Sequence, residues 1–240
     1  MSKMVKKLIF VLLLAPLLAL ASGTELQLDK APDRARDMAG LQRGAKIFVN
    51  YCLNCHSASY MRYNRLQDLE LSEQQIKDNL LFTVDKVGEP MTIAMRRADA
   101  KQWFGAAPPD LSVIARARSS EAGSGADWLY TYLRSFYRDE SRPTGWNNVV
   151  FENVGMPHVL WELQGEQELG PDHQLKLVKP GKLKAEEYDA LVADLVGYLV
   201  YMGEPVAVFR RQLGVVVLIA LAVLFVFAYA LKKEYWKDVH

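Results

Sequence analysis

Apolar and polar positions divide the 240-residue chain into four stretches of different character. Residues 213–231 carry no charge at all, nineteen in a row. As a helix they would reach about 28 Å, close to the thickness of one bilayer core. Arg210 and Arg211 precede them, Lys232, Lys233 and Lys237 follow, and Tyr235 and Trp236 suit a membrane interface. The pattern predicts a transmembrane anchor over 210–232 and a short tail over 233–240. A second apolar run, from Leu8 to Leu20, follows Lys3, Lys6 and Lys7 and ends in Ala19, Leu20 and Ala21. It is shorter, Pro16 interrupts it, and small residues close it, so it reads as a cleaved secretory signal covering 1–21.

The 22–209 stretch between them is long enough to bury a single core. Helical periodicity is clear at its two ends. Over 34–51, Leu41, Ala45, Phe48 and Val49 recur near one face, with Gly44 one turn before Phe48. A residue as small as Gly44 lets another helix come close. Over 185–202, Leu191, Leu195, Tyr198, Leu199 and Met202 recur in the same way. Glu186 and Glu187 suit the first turn of that helix, Gly203 and Pro205 its end, and Lys184 stands where a Ser or Thr cap is expected. Between these helices, glycines and prolines from Pro90 to Gly181 predict loops around a cofactor, with short helices at 72–81 and 127–136.

Charge adds an asymmetry that the whole-chain value of +1 conceals. Residues 22–209 hold 21 Lys and Arg against 26 Asp and Glu, a net −5. Such a surface suits a positively charged soluble partner and no nucleic acid, although a solvated acidic surface has the same composition. Glu162, Glu166, Glu168 and Asp172 form its densest acidic stretch, readable as a docking surface or as a solvated loop.

The chemistry lies just after the first helix. Cys52, Leu53, Asn54, Cys55 and His56 form a C-x-x-C-H run, and the chain has no other cysteine. Two thiols at this spacing can each form a thioether to a haem vinyl group, with the adjoining imidazole beneath the iron, so one covalent haem c is expected. Zinc would call for four ligands, and a dithiol redox motif for a βαβ setting that is missing here. Export agrees, because haem of this type is attached outside the cytoplasm and neither cysteine is left for a disulfide.

His56 fills one axial position. For the other, residue pattern leaves three candidates open: Met156, Met91 and His158. Met156 stands between Gly155 and Pro157, which offer close backbone approach and stiffness. Met91 follows Pro90, and an imidazole from His158 would also bind ferric iron. A thioether would raise the reduction potential.

A helix leading into C-x-x-C-H, with Leu195, Tyr198 and Leu199 on a last helix, resembles the terminal helix pair of the cytochrome c fold. The wider sequence resembles the cytochrome c1 family over its whole mature length. The resemblance rests on C-x-x-C-H, then Tyr60, Met61, Arg62, Tyr63, Asn64, Arg65 and Leu66; on Ala107, Pro108, Pro109, Asp110, Leu111 and Ser112; on Arg116, Ala117 and Arg118; on Gly155, Met156 and Pro157; and on the C-terminal anchor. The residues from Met156 to Trp161 resemble bacterial members in particular.

The resemblance implies a mainly α fold, with a cytochrome c-like haem domain of long loops and one transmembrane helix. It implies Met156 as the second iron ligand, Pro109 against the haem and Arg118 near a propionate. Trp128 stands where an aromatic residue near the haem edge is expected. It further implies a subunit of a dimeric bc1 complex in a bacterial inner membrane, with its haem domain in the periplasm. Cytochrome b and a Rieske iron–sulfur protein would be its neighbours and a soluble c-type cytochrome its acceptor. This chain alone would then catalyse no reaction. The competing expectations are a membrane-anchored haem peroxidase or oxidase subunit and a haem gas sensor, both of which need an exchangeable sixth position.

Overall fold

The computed structural model describes residues 27–238. The signal sequence expected at 1–21 and His240 lie outside the described residues. Helix α1 (Met38–Ile47) starts later than the apolar pattern suggests, because the Asp37 carboxylate accepts the Gly40 N–H at 2.9 Å and ends the preceding turn. The residues before Asp37 run instead as a strap. α1 then widens into one π turn, Phe48–Cys52, closed by the Leu53 N–H on the Phe48 carbonyl.

Helix α1 crosses α7 (Ala185–Gly203) at Gly44. A Cβ on Gly44 would lie 2.1 Å from the Asp194 carbonyl oxygen, so only glycine permits this approach. One turn on, the rings of Phe48 and Tyr198 meet at 5.5 Å, and both residues are fully buried with Leu41, Ala45 and Leu195. Each such large apolar side chain contributes about 1.5–3 kcal/mol when buried. The Asp194 carboxylate is buried at the same crossing, where Arg43 meets it at 2.6 Å and Arg34, from the strap, at 3.1 Å. A carboxylate in that position costs folding energy unless cations compensate it. Lys184 at the start of α7 is accommodated because Glu187 accepts its backbone N–H.

The middle of the chain carries short helices and small sheets. The Ser72–Gln75 capping box opens α2 (Glu73–Asn79), within the expected 72–81. Next come α3 (Arg97–Phe104) and the single turn α4 (Ile114–Ala117). Helix α5 (Gly125–Arg134) begins two residues before the expected 127, since Ser124 and Asp127 form a second capping box. Strands were not expected, yet β1 (Ala58–Arg62) pairs with β2 (Pro90–Met91) and β3 (Phe136–Arg138) with β4 (Trp146–Asn148). Strands this short hold no readable alternation.

After the turn α6 (Trp161–Gln164), β5 (Gly165–Leu169) and β6 (Leu175–Pro180) form an antiparallel hairpin. Most of the acidic stretch is neutralised within this region. Glu166 meets Arg138 and Lys179 at 3.0 Å, Glu162 meets Lys182 at 2.7 Å, and Asp172 meets Lys176 at 3.5 Å.

Helix α8 (Ala207–Tyr235) follows α7 after only three residues. Its 29 residues span roughly 43 Å. The most apolar window has a mean hydropathy of 2.9 and no buried residue, so the helix is long and apolar enough to cross a membrane. It extends three residues beyond each end of 210–232.

Candidate haem site

The end of the π turn sets the geometry of the motif. Cys55 and His56 both donate their backbone N–H groups to the Cys52 carbonyl, at 3.0 and 2.9 Å, which curls the five residues into one tight turn. His56 Nδ1 lies 2.8 Å from the Pro109 carbonyl oxygen. A carbonyl can only accept, so Nδ1 carries the proton and Nε2 keeps its lone pair for a metal. Burial favours the neutral ring and lowers its pKa, which the bond to Pro109 partly opposes. Burial, with Cys55 beside it, pushes the Cys52 thiol up to about 12, and burial raises the Cys55 thiol as well.

Pro109 is held by the residues around it. Asp110 accepts the Ser59 and Ser112 N–H groups at 2.9 and 2.8 Å, and the Leu111 N–H donates to the Ser57 carbonyl at 2.8 Å. Burial would raise the Asp110 pKa, but these hydrogen bonds outweigh it and lower the value. The loop is thereby stitched along the segment that follows the motif.

The opposite wall combines α5 with the loop after β4. Trp128 and Tyr132, one turn apart, stack at 4.8 Å with 14° between their planes. The Arg118 guanidinium lies over Trp128 at 4.5 Å and near Phe151 at 5.5 Å, and it pairs with no carboxylate among the described residues. Arg116 instead points to Glu204 at 3.9 Å.

Two buried asparagines shape the loop that carries Met156. Asn148 Oδ1 accepts the Val150 and Phe151 N–H groups, while Asn147 Oδ1 accepts those of Asn148 and Asn153, all within 2.8–3.1 Å. Arg142 adds bonds to the Asn153 side chain and carbonyl, at 2.9 and 3.0 Å.

These walls enclose an apolar cleft of about 340 Å³. Cys52, Cys55, His56, Pro109, Arg118, Trp128 and Met156 all line it, although they come from five separate parts of the chain. Met91 and His158 do not. Met91 is fully buried in β2, with its sulfur 3.6 Å from the Tyr198 hydroxyl. His158 stacks on Phe136 at 4.8 Å and meets Trp146 edge-on at 5.1 Å.

An apolar slot with two thiols and an imidazole of fixed tautomer on one side, and a thioether and an unpaired cation on the other, fits haem c. The sequence profile of the Cytochrome C1 family matches residues 30–239. The chain belongs to the cytochrome c1 family. It is 51% identical to the cytochrome c1 of Allochromatium vinosum over 95% of this chain and 96% of that protein. It is 54% identical, over 99% of its length and all of the relative's, to a Nitrosomonas europaea protein named ammonia monooxygenase gamma subunit. The Rhodospirillum rubrum cytochrome c1 is 29% identical over 85% of this chain. Membership makes this a haem c cytochrome of bc1-complex electron transfer in the respiratory chain.

Sequence reasoning missed Tyr132, Asn147, Asn148 and Arg142. Tyr132 was open to detection, since its i+4 spacing from Trp128 puts both on one helix face. The asparagine pair had no signal, because Asn147 and Asn148 look like ordinary loop residues until their carbonyls are seen to be buried.

Proposed function

We propose that this chain is a membrane-anchored, mono-haem electron relay. It takes electrons one at a time from a Rieske iron–sulfur protein and delivers them to a soluble c-type cytochrome, beside cytochrome b in a dimeric complex. The observation that carries this reading is the single apolar cleft uniting Cys52, Cys55, His56 and Met156. Bound haem supplies a one-electron carrier whose iron alternates between ferric and ferrous.

The protein's own residues do the rest. Cys52 and Cys55 would fix the group covalently, and the Pro109 carbonyl aims the His56 ring. Met156 would hold the iron from the wall opposite His56 with a soft thioether, which would favour the ferrous state and leave no open site for oxygen. Arg118, stacked on Trp128 and paired with no carboxylate among the described residues, would offer its charge to a propionate, since a guanidinium matches a carboxylate well. Trp128 and the other apolar walls exclude water. Helix α8 anchors the chain, with residues 22–209 in the periplasm and the tail in the cytoplasm, the orientation required by an exported haem domain.

The test is carbon monoxide binding to the ferrous holoprotein at neutral pH. The native protein should bind little, whereas Met156→Leu should bind readily and lose the far-red ferric sulfur-to-iron band. Ready binding by the native protein would favour the peroxidase or gas-sensor readings. The name of the Nitrosomonas relative supports a second assembly, in which the same relay serves an oxygenase. Purification from membranes separates the two: partners that are a b-type cytochrome and a Rieske protein favour the bc1 reading.

A further inference from the structure

Among the groups lining the cleft, the Tyr132 hydroxyl has one protein partner among the described residues, and that partner is Met156. Its oxygen donates to the Met156 sulfur at 3.3 Å. The ring is buried and has little freedom to turn elsewhere. Trp128 covers one face at 4.8 Å, and Phe136 meets it edge-on at 5.0 Å. A buried phenol needs a partner for its O–H, and a thioether is normally a weak one.

We propose that Tyr132 is a positioning residue that tunes the second iron ligand. Its O–H engages one sulfur lone pair and leaves the other for the metal. The proposal rests on Met156 being that ligand. A thioether carries two lone pairs, so holding one orients the other. Withdrawing density through a hydrogen bond also makes the sulfur a poorer donor. Ferric iron depends on that donation more than ferrous iron does, so the bond favours the reduced state. Hydrogen bonding around an axial ligand is a recognised lever on haem potentials. Because the donor sits on α5, one helix both walls the cleft and sets the strength of the ligand across it.

Tyr132→Phe keeps the ring between Trp128 and Phe136 and removes only the donor. In the holoprotein, poised at a fixed ambient potential, the ferrous-to-ferric ratio should fall about threefold, and the far-red sulfur band should shift. Replacing Tyr132 by 3-fluorotyrosine, a stronger donor of nearly the same shape, should move the ratio the opposite way. A purely structural role predicts neither change. If Met156→Leu abolishes the band while both Tyr132 replacements leave ratio and band unaltered, the proposal fails and the ligand reading stands. If Met156→Leu keeps the band, the ligand reading fails and the proposal fails with it.

Discussion

The two walls of the cleft are built by different physics. The Cys52 and His56 wall hangs from a helix crossing, with Gly44 against the backbone of α7 and Phe48 against Tyr198. The Met156 wall has no long helix in its loop and is held by polar side chains, chiefly the buried Asn147 and Asn148 and the half-buried Arg142. Apolar packing is insensitive to pH and fails when volume is added. A polar clasp tolerates changes of shape but depends on every donor and acceptor being matched. The His56 side thus rests chiefly on a helix crossing packed around one buried ion pair, and the Met156 side chiefly on a hydrogen-bonded loop.

The largest expected effect breaks the first wall. Gly44→Val would drive side-chain carbons into the Asp194 carbonyl and force the helices apart, at a cost of about 3 kcal/mol or more. Urea unfolding of the holoprotein should show that loss, with little haem-loaded protein recovered.

Acid should strain the second wall. Burial lowers the His158 pKa to about 4, against a partial opposing effect of Gln164. Below pH ~6.5 an unfolded chain takes up a proton that the folded chain refuses. Stability is therefore intact above that value and lost as pH falls towards 4, by about 1.4 kcal/mol per unit within the window. In His158→Phe, which keeps a ring against Phe136 and Trp146, urea midpoints measured across this range should lose that slope. An unchanged slope would locate the acid sensitivity elsewhere.

The smallest effect sharpens the contrast. Asn148→Ala orphans the Val150 and Phe151 N–H groups and takes one donor from the Tyr132 carbonyl, which Ser135 still serves, for about 2 kcal/mol. Ferrous carbon monoxide binding should increase because the Met156 loop loosens, while spectra sensitive to the His56 side stay unchanged.

The same contrast explains which features were legible in the amino-acid sequence. The helix pair was legible because Leu41, Phe48, Leu195 and Tyr198 repeat at the helical period, and Gly44 marks the crossing. The Cys52 to His56 run was legible because its chemistry is contiguous. Met156 left Met91 and His158 open on pattern alone, since the network that places its loop joins residues with no periodicity. The start of α1 was misjudged because a single carboxylate, Asp37, ends the preceding turn. The β5–β6 hairpin was hidden because its strands are mostly solvated and carry charge on either face.

Only Glu204, Pro205 and Val206 separate α7 from α8, and Glu204 is gripped by Arg210 at 2.6 Å, with Arg116 at 3.9 Å. So short and braced a joint gives the cleft little leash. With α8 lodged in a bilayer, the cleft would stand as a fixed post, and any protein exchanging electrons with it would have to make the journey.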